Sequence, residues 1–200
     1  QIGAVVKSLL SKDFFIMQGP PGTGKSTVIA EMVWQMIRLN RENERILLTS
    51  STHIAVDNAL GKIINENNNL VKPLRLGDVE DISSEGLKFS YNFLKEWANV
   101  DDDDLVNVND SSVNIIYNWM CNIRKRISLR SKSSIKLWND ILKKPTKDIK
   151  AIFFKNYVGG CNVIGATCSS ITELNRNGHI SNFYAAYGDI NSASMISQAI

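Results

Sequence analysis

Hydrophobic positions along residues 1–77 alternate between two periods. Ile2, Val5, Val6, Leu9 and Leu10 recur at helical spacing and predict a short opening helix. Residues 13–18 (DFFIMQ) form a compact apolar run of strand length that leads straight into GPPGTG at 19–24. Val28, Ile29, Met32, Val33, Met36 and Ile37 then predict a helix to about Leu39. A second strand fits 45–49 (RILLT), and Ala55, Val56, Ala59, Leu60, Ile63 and Ile64 stripe a second long helix. Residues 72–76 (KPLRL) complete the series as a third strand. Strand, helix, strand, helix, strand is the pattern of right-handed crossovers in a parallel sheet covered on both faces. The predicted fold class is α/β.

The rhythm breaks after Asp78. Residues 91–97 and 113–142 read as helical, with Ile115, Ile116, Trp119, Ile123 and Ile127 in one stripe. Strand character returns at 161–166 (CNVIGA), which can rejoin the first sheet. The predicted organisation is a nucleotide-binding lobe of residues 1–77 and 157–200, interrupted by a mostly helical inserted subdomain over 78–156. No internal repeat or low-complexity linker is present.

Charge adds to this picture through its distribution. The net charge of +3 is too small to imply a polyanionic partner by itself. Residues 78–110 nevertheless hold ten acidic side chains against Lys88 and Lys95, including four consecutive aspartates at 101–104. Residues 121–150 reverse the balance, with ten Lys or Arg against Asp140 and Asp148. Such blocks are either solvated faces or interaction surfaces. Apolar runs fall far short of the ~20 residues of a membrane span, so no integral membrane protein is expected. Cys121, Cys161 and Cys168 make neither an even framework nor a CxxC pair. They are read as packing residues in a reducing, intracellular and cytoplasmic setting. The chain opens on Gln1 and stops at Ile200 within an apolar stretch, and is read as a piece of a longer protein.

Candidate chemistry concentrates at Gly19, Pro20, Pro21, Gly22, Thr23, Gly24, Lys25 and Ser26, a full match to GxxxxGK[ST]. Glycines allow the tight bend that turns successive N–H groups toward phosphate oxygens. The following helix adds its dipole and its unpaired amides to the same anion. Lys25 reaches the β- and γ-phosphates as a point charge, and Ser26 offers a hydroxyl to Mg²⁺. Thr27, next on the helix, joins the cofactor-binding set. The motif lies between a predicted strand and a predicted helix, as a phosphate site requires.

In the form QGPPGTGK over 18–25, the motif resembles motif I of the superfamily 1 helicases, in the group containing the nonsense-mediated-decay RNA helicase and its DNA-directed relatives. Gln1 stands about where that group's adenine-reading glutamine falls. Residues 48–58 (LTSSTHIAVDN) are similar to motif Ia, whose loop touches the nucleic-acid backbone. LRLG at 74–77 resembles the strand that precedes the group's variable insertion, and VIGATC at 163–168 a later strand end facing nucleic acid. The resemblance covers roughly 1–77 and 158–200. It implies a RecA-like P-loop NTPase lobe that uses ATP and Mg²⁺, with single-stranded RNA or DNA as partner. It assigns backbone contacts to Ser51, Thr52, His53 and Thr167, and leaves room for protein partners on the inserted subdomain. Short hydroxyls at a strand's carboxyl end can hold phosphates without reading bases. Ser51 and Thr52 also suit a helix N-cap, and His53 suits a local cap as well as a contact. His179, in a turn, is assigned nothing. Trp119 and Trp138 are either stacking residues or core.

The chain departs from that pattern where the group carries an acidic pair at a strand end. ASMISQ at 193–198 resembles the continuation after the pair, yet the two preceding positions are Asn191 and Ser192. Asp189 is the remaining carboxylate that could serve the metal. Hydrolysis by this chain is therefore expected to be weak, and without a second lobe it is not expected to unwind a duplex. Two other readings stand beside the motor: a binding scaffold that no longer hydrolyses ATP, and a P-loop kinase, which leaves 48–58 unexplained.

Overall fold

The computed structural model describes residues 1–40, 45–64, 70–100, 114–126, 132–171 and, for the backbone, 194–198. Its elements in chain order are α1 (Ile2–Leu10), α2 (Lys25–Asn40), β1 (Ile46–Ser50), α3 (His53–Ile63) and β2 (Pro73–Arg75). A single 3₁₀ turn (Val79–Asp81) follows, then α4 (Ser84–Leu87), α5 (Tyr91–Asn99), α6 (Ile115–Arg126), α7 (Lys132–Lys143), α8 (Lys147–Gly159), β3 (Val163–Thr167) and β4 (Ser194–Gln198). The four strands form one parallel sheet in the order β2-β3-β1-β4. The strand predicted at 161–166 does rejoin the sheet, between the two strands that precede it in sequence.

Alternating strand residues divide the core in two. Ile46, Leu48 and Val163 face a cluster built with Ile29, Val33 and Ile37 of α2 and Val56, Leu60 and Ile63 of α3. Leu74, Ile164 and Ala166 face the opposite cluster, with Leu94 and Trp97 of α5, Ile116 and Met120 of α6, and Tyr157 of α8. The helical segment after Asp78 thus supplies the second apolar face that a parallel sheet needs. Among the described residues no helix is long and apolar enough to cross a membrane.

Several expectations change. Residues 13–18 form no strand: they run without a ladder partner among the described residues, and Phe14 and Ile16 stay 78% and 81% exposed. An apolar run of strand length becomes a strand only when a neighbour accepts its backbone groups. The helix α1 forms as predicted and packs on α2, but of its apolar stripe only Val5 is buried. The long helical region at 113–142 is two helices, α6 and α7; Ile127 between them lies outside the described residues. Trp119 and Trp138 both meet the Phe153 ring edge-on, at 5.8 and 6.1 Å, and so pack in the aromatic seam of α6, α7 and α8. Cys161 is buried as expected, whereas Cys168 is exposed at the end of β3.

The segment resembling the continuation after an acidic pair is also a strand, β4. In a parallel sheet all carboxyl ends share one edge, and Gln198 pairs with Ser50 there. The ligand-facing end of this strand is therefore Gln198, and not a position ahead of Ala193. Asn191, Ser192, Asp189 and His179 lie outside the described residues, as do the aspartates at 101–104.

Candidate nucleotide site and its nucleic-acid edge

The loop 19–24 is shaped by two left-handed glycines, Gly22 at φ 78° and Gly24 at φ 85°. A side chain at either would be strained. Gly19 is held to glycine by space, since a Cβ there would stand 2.9 Å from Thr23 Oγ1. The loop ends where α2 begins, at Lys25. The first intrahelical bonds run from Thr27 and Val28 back to the Gly24 carbonyl. The amides before them belong to the helix's unpaired first turn, at its positive end.

Lys25 folds back over the loop. Its Nζ donates to the Gly19 carbonyl at 2.6 Å and to the Pro20 carbonyl at 2.9 Å. Thr23 Oγ1 donates to the same Pro20 carbonyl at 2.8 Å. The ammonium thus already sits among oxygen acceptors at the mouth of the cradle. Gln1 leans on the loop as well, its Nε2 donating to the Thr23 carbonyl at 3.1 Å. Ser26 is half-buried and Thr27 exposed on the first turn of α2.

A cavity of about 550 Å³ opens beside the loop, between Met17, Gln18, Gly19, Pro21, Lys25 and Ser26 on one side and Thr52, Ile54, Ala55 and Asn58 of the α3 start on the other. Its size falls in the range of small-ligand sites. Pattern reading did not single out Ile54 or Asn58 as site residues. The exposure of Ile54 at 67%, on a helix whose apolar stripe is otherwise buried, shows only in three dimensions. Among the described residues no group of three or more His, Cys, Asp or Glu gathers for a metal.

At the carboxyl edge, Ser51 and Thr52 are exposed and His53 half-buried. Thr52 occupies the N-cap of α3 yet makes no side-chain cap bond. Instead Ser50 Oγ accepts from the Thr52 amide at 3.5 Å. The capping role expected of Thr52 is thus not taken up, because its side chain stays in solvent. Thr167 is fully buried, its hydroxyl 2.7 Å from Ser170 Oγ and 3.0 Å from Ser169 Oγ. It ties down the turn after β3 from beneath the surface, while Ser51, Thr52 and His53 line the surface itself.

Behind this edge lies an ion pair that the sequence did not advertise. Arg75 Nε donates to Asp57 Oδ1 at 2.7 Å, with both side chains at most 1% exposed. Asp57 Oδ2 accepts the Ser83 amide at 2.9 Å, and Arg75 also donates to the Leu76 carbonyl. No signal in the sequence pairs them, since local pattern assigns each charge to solvent.

A positive-φ glycine loop leading into a helix, at the carboxyl edge of a parallel sheet with helices on both faces, defines a P-loop nucleotide-binding α/β protein. The AAA domain family (AAA_11) matches residues 1–183, and the chain belongs to it. Its relatives are superfamily 1 helicases. It is 37% identical over 93 residues to an uncharacterized ATP-dependent helicase of Methanocaldococcus jannaschii, covering 46% of this chain and 14% of that protein. It is 39% identical over 90 residues to the DNA replication ATP-dependent helicase/nuclease DNA2 of Saccharomyces cerevisiae, 45% of this chain and 6% of that one. Regulator of nonsense transcripts 1 of Dictyostelium discoideum matches at 32% over 63 residues, 32% of this chain and 5% of that protein. The chain therefore spans a small part of the length of the curated relatives it matches. These matches bear out the resemblance drawn from motif I and the 48–58 stretch.

Proposed function

We propose that this chain is the ATP-binding motor lobe of an ATP-dependent helicase or translocase acting on single-stranded nucleic acid, with the second lobe belonging to the parent protein. The observation that carries the reading is the glycine cradle opening onto the same cavity as the start of α3. The residues fit a nucleotide–Mg²⁺ complex: the loop has glycine where a Cβ would crowd it, and Lys25 already lies among oxygen acceptors that phosphates can replace. The loop amides and Lys25 would hold the phosphates, Ser26 and Thr27 would meet the ion and the adjacent oxygens, and Gln1 would meet the base. Bound ATP supplies a phosphoanhydride whose cleavage releases free energy to the motor. Lys25 orients the phosphate chain, and the dipole of α2 holds its charge.

Ser51, Thr52 and His53 then serve the phosphate backbone of a single strand at the rim of the same cavity, which Thr52 also lines. On α7, exposed Lys132, Lys136 and Lys143 recur at helical spacing and give the helical subdomain of 78–156 a basic face suited to the same polyanion or to an acidic partner. Three cysteines that form no disulfide suit an intracellular, cytoplasmic setting.

The test is titration of the chain with a fluorescent ATP analogue and Mg²⁺, beside Lys25→Ala, with phosphate release followed in the same tubes. Saturable binding lost in the variant supports the cradle; binding that ignores Lys25 overturns it.

A second reading is favoured by one observation: the carboxyl end of β4, Ser197 and Gln198, carries no carboxylate to polarise water or hold a metal. On that reading the lobe binds nucleotide and scaffolds without hydrolysis. Strand-stimulated phosphate release by the full-length protein decides between the two. Release supports the motor, and intact Mg-nucleotide binding with none supports the scaffold.

A further inference from the structure

Arg75 makes a third contact besides Asp57 and the Leu76 carbonyl: its remaining terminal nitrogen lies 3.3 Å from His53 Nδ1. A guanidinium has only donors. Nδ1 must therefore accept, which leaves the proton of the neutral ring on Nε2. Arg75 cannot turn away from this contact, because Asp57 and the Leu76 carbonyl hold the rest of the guanidinium in a fully buried position. Asp57 is fixed in turn by the Ser83 amide, and Gly86 packs so close to it that a Cβ would stand 2.7 Å from the carboxyl carbon. The His53 ring is half-buried, between exposed Thr52 and Ile54, and Nε2 has no partner among the described residues.

We infer that Arg75 is a positioning residue that fixes His53 in its Nε2–H tautomer, so that the ring offers the nucleic-acid backbone one neutral, oriented donor and not a positive charge. The inference deepens the nucleic-acid reading given above and rests on it for its ligand; the tautomer itself does not depend on that reading. Its chemical consequence is specific. A neutral donor contributes to affinity without displacing a counterion, whereas a cationic contact adds about one unit to the salt slope. His53 thus strengthens binding equally at low and high salt, and the lysines of α7 carry the salt-dependent part.

The first measurement needs no substitution. Long-range ¹⁵N–¹H correlation on the full 200-residue chain distinguishes a pyridine-like from a pyrrole-like ring nitrogen, and with two histidines in the chain a His53→Gln sample assigns the signals. A pyridine-like Nδ1 and pyrrole-like Nε2 are expected at His53; the opposite tautomer, or a fast mixture of the two, overturns the inference. In the paired variant Asp57→Asn with Arg75→Met, which leaves no buried charge unpaired and no side-chain donor at position 75, the single tautomer should give way to a mixture. Persistence of the single tautomer in a folded paired variant overturns the role of Arg75.

The second measurement is binding of a fluorescent oligo(dT) or oligo(U) across a salt series. His53→Ala should weaken binding about three- to tenfold with the salt slope unchanged, and His53→Gln, which keeps a terminal N–H, should recover part of the loss. A slope lowered by about one unit in His53→Ala means a cationic contact and overturns the inference. Unchanged affinity with the Nε2–H tautomer present leaves the Arg75–His53 assignment standing and overturns the nucleic-acid reading at this residue.

Discussion

Gly165 and Leu60 meet so closely that a Cβ on the glycine would stand 2.6 Å from Leu60 Cδ1, with Val56 Cγ1 only 2.9 Å away. Helix α3 thus lies on β3 at a separation set by the absence of a side chain. Gly165→Ala should destabilise the chain by about 1–3 kcal/mol through overpacking, and Leu60→Ala by about 2–5 kcal/mol through a cavity. Combined, the two should cost clearly less than their sum, because the new methyl fills space that the leucine leaves. Urea unfolding of the four proteins checks this, and strict additivity would contradict the close contact.

The buried Arg75–Asp57 pair makes a sharper demand. Asp57→Ala leaves a guanidinium without its counter-charge in the interior, at a cost of about 3–5 kcal/mol. Paired neutral replacement should cost far less. Chemical denaturation of Asp57→Ala beside the Asp57→Asn, Arg75→Gln pair gives the comparison; an equal loss in both would place the cost in packing and not in charge.

The two left-handed glycines of the loop separate backbone strain from the Gln1 contact. Gly22→Ala meets no atom within 4 Å and should cost only the left-handed penalty, about 1–2 kcal/mol. Gly24→Ala carries the same penalty and also displaces Gln1, whose Nε2 would lie 2.6 Å from the new Cβ. Melting temperatures of the two variants should therefore be similar. In nucleotide titrations Gly24→Ala should show the larger loss, and adding Gln1→Ala to it should cost nothing more. A further loss on adding Gln1→Ala would mean that Gln1 acts independently of the loop.

Burial pushes the Cys121 thiol up, and Lys125 partly opposes the shift. Alkylation of Cys121, followed by mass spectrometry, should therefore rise at a more alkaline pH than for an unfolded thiol. Lys125→Met should move it further in the same direction. The linked effect on stability has a definite sign: above the ordinary thiol value the unfolded chain has lost a proton that the folded chain keeps, so stability falls as pH rises through that window. A Cys121→Ser variant should show a shallower fall across the same pH range.

The sequence carried the phosphate loop almost whole, because its function requires residue types at fixed spacing. The helices α2 and α3 were equally legible, since Val28, Val33 and Ile37, or Val56, Leu60 and Ile63, bury one face each. What escaped depends on partners distant in the chain. Among the described residues, 13–18 have strand composition but no ladder, and α1 has an apolar stripe of which only Val5 is buried. The pairing of Asp57 with Arg75 joins two charges that local pattern assigns to solvent. The capping hydroxyl of Thr52 followed a sound local rule, yet its side chain makes no cap bond. The register of the last strand could not be taken from the resemblance, because the shared edge of a parallel sheet is set by its neighbours.

The sheet order also fixes a timetable. β1 and β2 are 22 residues apart between Ser50 and Pro73, yet they never touch, because β3 at Val163–Thr167 lies between them. During synthesis, the phosphate loop, α2, α3 and two strands emerge with their backbone edges open until almost the whole helical segment has followed. Such long-range pairing is slow and leaves unpaired strand edges exposed to other chains. The nascent protein therefore passes through its most aggregation-prone stage after its nucleotide loop has been made and before β3, which joins β1 to β2, exists. A chain cut short ahead of Val163 should need a chaperone to stay in solution.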